Sequence, residues 1–184
     1  MSSWMFAVLA GVLYTIFQIG KYVFDKQKNP VTKFLDAYTP GMRRIEAELE
    51  SMSISQAQRQ AWRLLDRSPY LVTTPPDSSA PGPAFNQLTA DQRDLLGRYA
   101  SIGTKEEEAR MAAADVAPCA GDPQYIRIGA TEYGDDLVVQ PGREPVSERD
   151  DEGDAGVELK SIWHWIVYWH LEAELTATSE GKPT

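Results

Sequence analysis

Residues 125–149, YIRIGATEYGDDLVVQPGREPVSER, decide the predicted fold, because the chain changes here from helical to strand-like periodicity. Two strands are predicted over Tyr125–Gly129 and Asp136–Gln140, and a weaker third over Glu144–Arg149. The spacers between them contain glycine, aspartate and proline, which are typical of turns. Short turns join neighbouring antiparallel strands, so the stretch predicts an antiparallel meander.

A helix is predicted directly after these strands. Ser161 stands where an N-cap is expected, and apolar residues recur at helical spacing from Ile162 to about Leu175. The aromatic stripe of this helix is expected to pack on the sheet. The last residues, 176–184, are polar and are predicted to be a disordered tail.

Two further helices are predicted before the strands. Thr89 and Gln92 have the spacing of a capping box, and Thr104 repeats that signal for a helix over Lys105–Ala114. Helices on both sides of a small antiparallel sheet predict an α+β domain over residues 85–175, which is long enough to bury its own core.

The segment 29–72 is predicted to form a helical stalk. Thr39 and Pro40 have the chemistry of an N-cap followed by a first helical residue. Ser53 and Gln56 again have capping-box spacing and predict a second helix that ends near Asp66.

A proline-rich linker is predicted over residues 73–84. Residues 73–83 contain four prolines and one glycine, which continue neither a helix nor a strand. The alternative is that this segment is a long surface loop of a single domain.

The apolar run Trp4–Phe24, WMFAVLAGVLYTIFQIGKYVF, predicts a single transmembrane anchor over residues 1–28. A helix of these 21 residues is about as long as the hydrocarbon core of a bilayer is thick. Lys21 near its end can snorkel towards the lipid headgroups. A cleaved signal peptide and a buried core helix are the alternatives, and the lack of Lys or Arg before the run speaks against the first.

The distribution of charge sets the predicted localisation and excludes one class of ligand. Basic residues follow the apolar run and none precedes it, which predicts a single-pass protein of the cell inner membrane with a cytoplasmic body. The lone Cys119 agrees with a reducing compartment. Residues 68–184 carry nine Lys/Arg against 21 Asp/Glu, and such an acidic body speaks against nucleic acid as a ligand.

Acidic residues close to the predicted strand turns are the candidate binding site. Asp150–Asp154 is the densest acidic run, but as a calcium loop it lacks the glycine and the final glutamate, because Ala155 and Ser161 stand at those places. A solvated loop is one interpretation. The other is an acidic face that binds a basic protein partner, formed by Asp135, Asp136, Glu148, Asp150, Asp151 and Asp154.

No catalytic constellation is predicted. Cys119 could pair with a histidine as nucleophile and base, but only the presence of both residue types suggests it. His164 and His170 are six residues apart, so on a helix they point to different faces and do not form a metal pair. We therefore predict no catalytic, cofactor-binding or metal-binding residues, no cofactor, and a protein that is not an enzyme.

The stretch from about residue 85 to 171 resembles the SMI1/KNR4 superfamily, also called SUKH. The resemblance rests on a leucine-rich helix and an aromatic at Leu95–Tyr99, a strand that ends in Ile-Gly at Tyr125–Gly129, a Gly/Asp turn at Tyr133–Leu137 and a final aromatic helix from Ser161. It implies an α+β domain whose bacterial members often serve as immunity proteins, which neutralise a toxin by binding it.

Taken together, the sequence predicts a membrane-tethered cytoplasmic protein-binding domain, with a toxin as the partner class that the resemblance implies. The alternative is a structural or scaffold subunit of a bacterial envelope or secretion assembly. In that case the membrane contact through residues 4–24 would be the interaction surface, with Gly11 and Gly20 as close-packing positions.

Overall fold

A computed structural model describes residues 30–76, 80–105, 109–119, 122–131, 133–150 and 153–179, with side chains from Tyr38 onward. The chain divides into two compact units, Met1–Gly41 and Met42–Thr184, and all packing described below lies within the second. The helices of the described residues are α1 (Pro30–Ser51), α2 (Ile54–Arg67), α3 (Ala90–Arg98) and α4 (Ile162–Ser179). The strands are β1 (Leu71–Thr74), β2 (Ser101–Thr104), β3 (Arg110–Met111), β4 (Ala117–Pro118), β5 (Ile126–Ala130), β6 (Asp136–Val139), β7 (Val146–Arg149) and β8 (Ala155–Leu159).

The structure corrects the predicted transmembrane architecture. Across the described ranges, no helix is both long and apolar enough to cross a bilayer. The predicted fold class with its transmembrane helix, and the predicted inner-membrane localisation, are therefore wrong. The reason lies in composition: α1 contains seven charged residues, and α4 places two histidines and two glutamates among its apolar residues. The run at residues 4–24, on which the anchor, the membrane contact and the cytoplasmic body depended, lies outside the described residues.

All eight strands join one antiparallel sheet in the order β1-β2-β3-β5-β6-β7-β8. β4 pairs with the first half of β5 and β3 with its second half, so the two short strands share one edge of β5. The predicted antiparallel pairing of the three strands in residues 125–149 is confirmed. The sheet is larger than predicted, because five further strands join it.

The core lies on one face of this sheet, under α2 and α4. Ile128, Leu137 and Val146 are buried there together with Ile162 and Ile166 of α4. The indole N–H of Trp165 donates to the carbonyl oxygen of Val146 at 3.0 Å, which fixes α4 on β7. The predicted packing of the aromatic helix on the sheet is therefore confirmed.

The helix from the segment predicted to be a stalk covers the same core. α2 begins at the N-cap Ser53, where the predicted capping box with Gln56 is present. Its buried residues Ala57, Ala61 and Leu65 form the face that packs against α4. After α2 the chain continues directly into β1, whose last two residues, Thr73 and Thr74, fall in the segment predicted as linker.

Three local predictions are wrong. Thr39–Pro40 does not begin a helix, because α1 continues through Pro40. The helix predicted over Lys105–Ala114 is replaced by β3 and a 3-10 turn at Ala113–Asp115, because the chain there pairs with β2 and β5. Residues 176–179 of the predicted tail are helical, since α4 continues to Ser179, and residues 180–184 lie outside the described residues.

Candidate functional site

Two turns of the sheet lie at the same end and carry most of the predicted acidic residues. The β5–β6 turn passes through Gly134 at φ +89° and the β7–β8 turn through Gly153 at φ +86°, a backbone region that favours glycine. Asp136, the first residue of β6, is the cross-strand partner of Arg149, the last residue of β7. Both turns therefore lie where these strands begin or end, along one edge of the molecule.

The structure brings five of the six predicted residues together at this edge. Asp150 and Asp154 are exposed, whereas Asp135, Asp136 and Glu148 are half-buried. We call these five residues the acidic end. The sixth, Asp151, lies outside the described residues.

Several of these carboxylates have structural partners. The Asp150 carboxylate accepts the backbone N–H of Asp154 at 2.9 Å and so closes the β7–β8 turn. The Glu148 carboxylate accepts the backbone N–H of Val157 at 3.3 Å, next to the bulge between β7 and β8. These two side chains hold the turn in shape as well as contributing charge.

Two arginines, which the sequence analysis did not single out, lie among the acidic residues. Arg127 approaches Asp136 with 3.7 Å between guanidinium nitrogen and carboxylate oxygen. Arg149 lies 4.0 Å from the carboxylate of Asp122, donates to the carbonyl oxygen of Gly153 at 3.0 Å, and stacks over the ring of Tyr125 with 3.9 Å to its centroid. The edge is therefore a mixed but mainly acidic surface.

The arginines belong to the face of the sheet opposite the core. Along β6 the side chains alternate, so Val138 faces away from Leu137 and Val139. Its cross-strand neighbours are Arg127 and Ser147, and Ser147 in turn pairs with Glu158. The Ser147 hydroxyl donates to the Glu158 carboxylate at 2.9 Å. We call this surface the outer face.

A shallow groove of about 270 Å³ lies on the outer face. The phenolic oxygen of Tyr125 at its side accepts the amide of Gln140 at 3.3 Å. Its walls combine hydroxyl, amide, guanidinium and carboxylate groups, from Tyr125, Gln140, Arg143, Pro145, Ser147 and Glu158. Most of these groups already satisfy one another, so the groove has the character of a hydrated protein surface.

Cys119 and the two histidines are not one site. Burial, reinforced by the negative charge of Asp136, raises the pKa of the Cys119 thiol, which keeps it protonated and weakly nucleophilic. His164 instead contacts Met52, and His170 contacts Ser68, both at the ends of α2. Among the described residues, no cluster of three or more His, Cys, Asp or Glu side chains could hold a metal ion.

The sequence contains a signal for the position of the arginines in the alternation of β5. Arg127 stands between Ile126 and Ile128, which are buried, so alternation alone places it on the outer face. Arg149 ends the same kind of strand. The number of carboxylates alone does not reveal which basic side chains share their face of the sheet.

Comparisons with known proteins add no family to this picture. No protein-family model, no curated protein and no solved structure matches the chain. The resemblance to the SMI1/KNR4 superfamily gains no support from them and stays a prediction.

Proposed function

We propose that residues 42–184 form a non-enzymatic binding domain whose acidic end engages a basic region of a protein partner. The observation that carries the proposal is the juxtaposition of the β5–β6 and β7–β8 turns, which gathers five carboxylates at one edge. The surplus of acidic over basic residues across the chain, a formal net charge of −9, adds a long-range attraction for a positive partner.

The geometry favours protein recognition over small-molecule chemistry. Three of the carboxylates lie on two turns held by glycines and backbone hydrogen bonds, and Asp136 and Glu148 lie on the adjoining strands, so the five present a pre-formed pattern of charge. Arg127 and Arg149 place positive charge within this pattern. A partner with a uniformly basic surface would be repelled by the two arginines, so they select against it. Charges at this edge act together within a Debye length of about 10 Å at moderate salt.

The test is the double variant Asp135→Lys/Asp154→Lys, compared with the wild-type chain. Both turns use the backbone of these residues: Thr131 N–H donates to the Asp135 carbonyl at 2.8 Å, and Asp154 N–H donates to Asp150. Replacing their carboxylates therefore reverses charge while the turn hydrogen bonds remain available. The matched control is Glu46→Lys/Asp66→Lys on α1 and α2, where both residues are exposed and the change in net charge is the same.

Each of the three proteins is immobilised and exposed to lysate of its own source cells, and captured proteins are quantified by mass spectrometry. We expect a basic protein that wild type and control retain equally, and that the Asp135→Lys/Asp154→Lys variant retains about tenfold less well, the loss that electrostatic steering predicts. Its capture by wild type should weaken as salt rises. The proposal is wrong if both double variants capture every protein equally. It is also wrong if the protein that the Asp135→Lys/Asp154→Lys variant retains less well is itself acidic.

A further inference from the structure

Both histidines of the chain lie on α4, and each contacts one end of α2. His164 Nε2 is 3.2 Å from the carbonyl oxygen of Met52, the residue before the N-cap of α2. His170 Nδ1 is 2.8 Å from the hydroxyl of Ser68, the C-cap of α2. Residues 42–68, which we call the helical cover, are thus tied to α4 by one imidazole at each end of α2.

A neutral imidazole satisfies both hydrogen bonds of His164. A carbonyl oxygen only accepts, so Nε2 carries the proton and donates to Met52. Nδ1 is then an acceptor, and the hydroxyl of Ser161 donates to it at 2.8 Å. His164 is only 1% exposed, so an added proton would create a buried cation.

The charged groups around His164 do not offset such a cation. Lys160 acts on His164 with a positive charge, and its ammonium donates to the carbonyl oxygen of Glu50 in α1. Burial lowers the pKa of His164 below its ordinary value of 6.5, the Met52 carbonyl opposes this, and the positive Lys160 reinforces it.

His170 has a related but milder environment. The Ser68 hydroxyl accepts the backbone N–H of Tyr70 at 3.1 Å, and it donates to His170 Nδ1 at 2.8 Å when the imidazole is neutral with its proton on Nε2. The Tyr70 ring lies 5.6 Å from the imidazole, centroid to centroid. Burial lowers the pKa of His170, and the Glu174 carboxylate at 4.0 Å from Nε2 opposes this only partly.

The rest of the contact between α2 and α4 is apolar. Ala57, Ala61 and Leu65 are buried against α4, and the rings of Trp62 and Trp163 lie 5.1 Å apart. An apolar contact loses nothing directly when the solution is acidified, whereas His164 and His170 are titratable groups within this contact. The nearby acidic and basic residues of α2, Asp66 and Arg67, are exposed.

We propose that His164 and His170 form a histidine clamp that makes the docking of the helical cover sensitive to acid, so that taking up protons releases the cover while the sheet persists. The undocked histidines bind protons near pH 6.5, and the docked ones only at lower pH. The docking free energy is therefore fully present above about pH 6.5 and falls as the pH drops towards the lowered values. Release would expose the apolar face of α4, including Trp163.

Hydrogen exchange of the full chain, read by mass spectrometry at about pH 7.5 and about pH 5 and corrected for intrinsic exchange, tests the clamp. In the wild type we expect acid to speed exchange in Ile54–Arg67. The increase should be about tenfold for each pH unit by which docking lowers the pKa of a histidine, while exchange in peptides of β5–β7 should change little. His164→Gln keeps a neutral donor at this position and should remove most of the acid effect. His170→Gln should remove less, because Glu174 already compensates part of its cost.

A second measurement does not depend on the variants folding well. The chain has two histidines, so an NMR titration of labelled histidine gives two curves. Both should titrate below pH 6.5 in the folded protein. The clamp is overturned if His164 titrates at its ordinary pKa. It is also overturned if acid still speeds exchange in the His164→Gln/His170→Gln double variant, or if the sheet loses as much protection as α2.

Discussion

A methyl group added at Gly129 should loosen the centre of the sheet. Gly129 lies in β5 opposite Met111 of β3, beside the irregular register between Arg127 and Gly129. A Cβ atom at Gly129 would lie 2.1 Å from the carbonyl oxygen of Arg110 and 2.9 Å from the Cα of Met111. Both neighbours are backbone atoms of the paired strand, so no side-chain rotation can relieve the contact.

The expected cost of Gly129→Ala follows from this geometry. Relief requires β3 to move away from β5 by most of an ångström, which weakens the hydrogen bonds between them. Overpacking of a well-packed core costs about 1–3 kcal/mol, and we expect the upper end here because the obstruction is backbone. For a chain of this size, about 3 kcal/mol corresponds to a fall of roughly 6–12 °C in Tm.

Gly97→Ala is the matched control. It makes the same chemical change within α3, where an added Cβ atom meets nothing within 4 Å. Alanine is the better helix former, so this variant should gain about 0.5–1 kcal/mol. Urea unfolding of the two variants and the wild type measures both effects, provided that the m-value stays constant. A free energy of unfolding for Gly129→Ala within about 0.5 kcal/mol of wild type would refute the close-approach argument.

Two further predictions follow from local contacts. Ser53→Ala removes the hydroxyl that accepts the backbone N–H of Gln56 at 3.3 Å in the capping box of α2, and should cost about 1 kcal/mol in urea unfolding, whereas Ser55→Ala two residues later should stay within about 0.5 kcal/mol. Cys119 should be alkylated more slowly at about pH 8 in the native protein than in urea, because burial and then Asp136 raise its pKa and reduce the thiolate fraction. Asp136→Asn should make alkylation of Cys119 in the native protein somewhat faster. Equal alkylation rates in the native and the unfolded protein would contradict the inferred environment of Cys119.

The parts of the fold that the sequence predicted well carry strong local signals. The capping boxes at Ser53 and Thr89 both form, and the helices begin where those boxes place them. The strands β5, β6 and β7 agree with the predicted segments to within two residues at each end. In these segments the local pattern and the tertiary contacts favour the same conformation.

The parts that it predicted badly depend on distant partners. β3 and β4 contain two residues each, too few to show any alternation, and they form through pairing with other strands, β4 with β5 and β3 with both β2 and β5. The capping-box spacing at Thr104 was overridden by strand pairing, since Thr104 ends β2 and pairs with Leu71 of β1. β8 is almost entirely exposed, so burial left no hydrophobic pattern in its sequence.

The candidate site divides in the same way. The density of carboxylates was visible in the sequence, and the structure places five of the six predicted residues at one edge. The guanidinium of Arg149 over Tyr125 was not visible, because these residues are 24 positions apart and meet only across the sheet. Charge composition therefore predicted the sign of the surface but not the pattern that would give it selectivity.

Burial separates the ionisable groups of this protein into two classes with different responses to solution conditions. The side chains of Arg149 and Asp122 are 22% and 36% exposed, so they stay solvated, and salt screens the attraction between such groups and a partner. His164 is 1% exposed and stays neutral, so salt has little to screen there and proton uptake is the effective perturbation. Raising the salt concentration at neutral pH should therefore weaken capture of a partner without opening the helical cover. If salt alone speeded hydrogen exchange in α2, surface ion pairs rather than buried neutral imidazoles would be holding that helix in place.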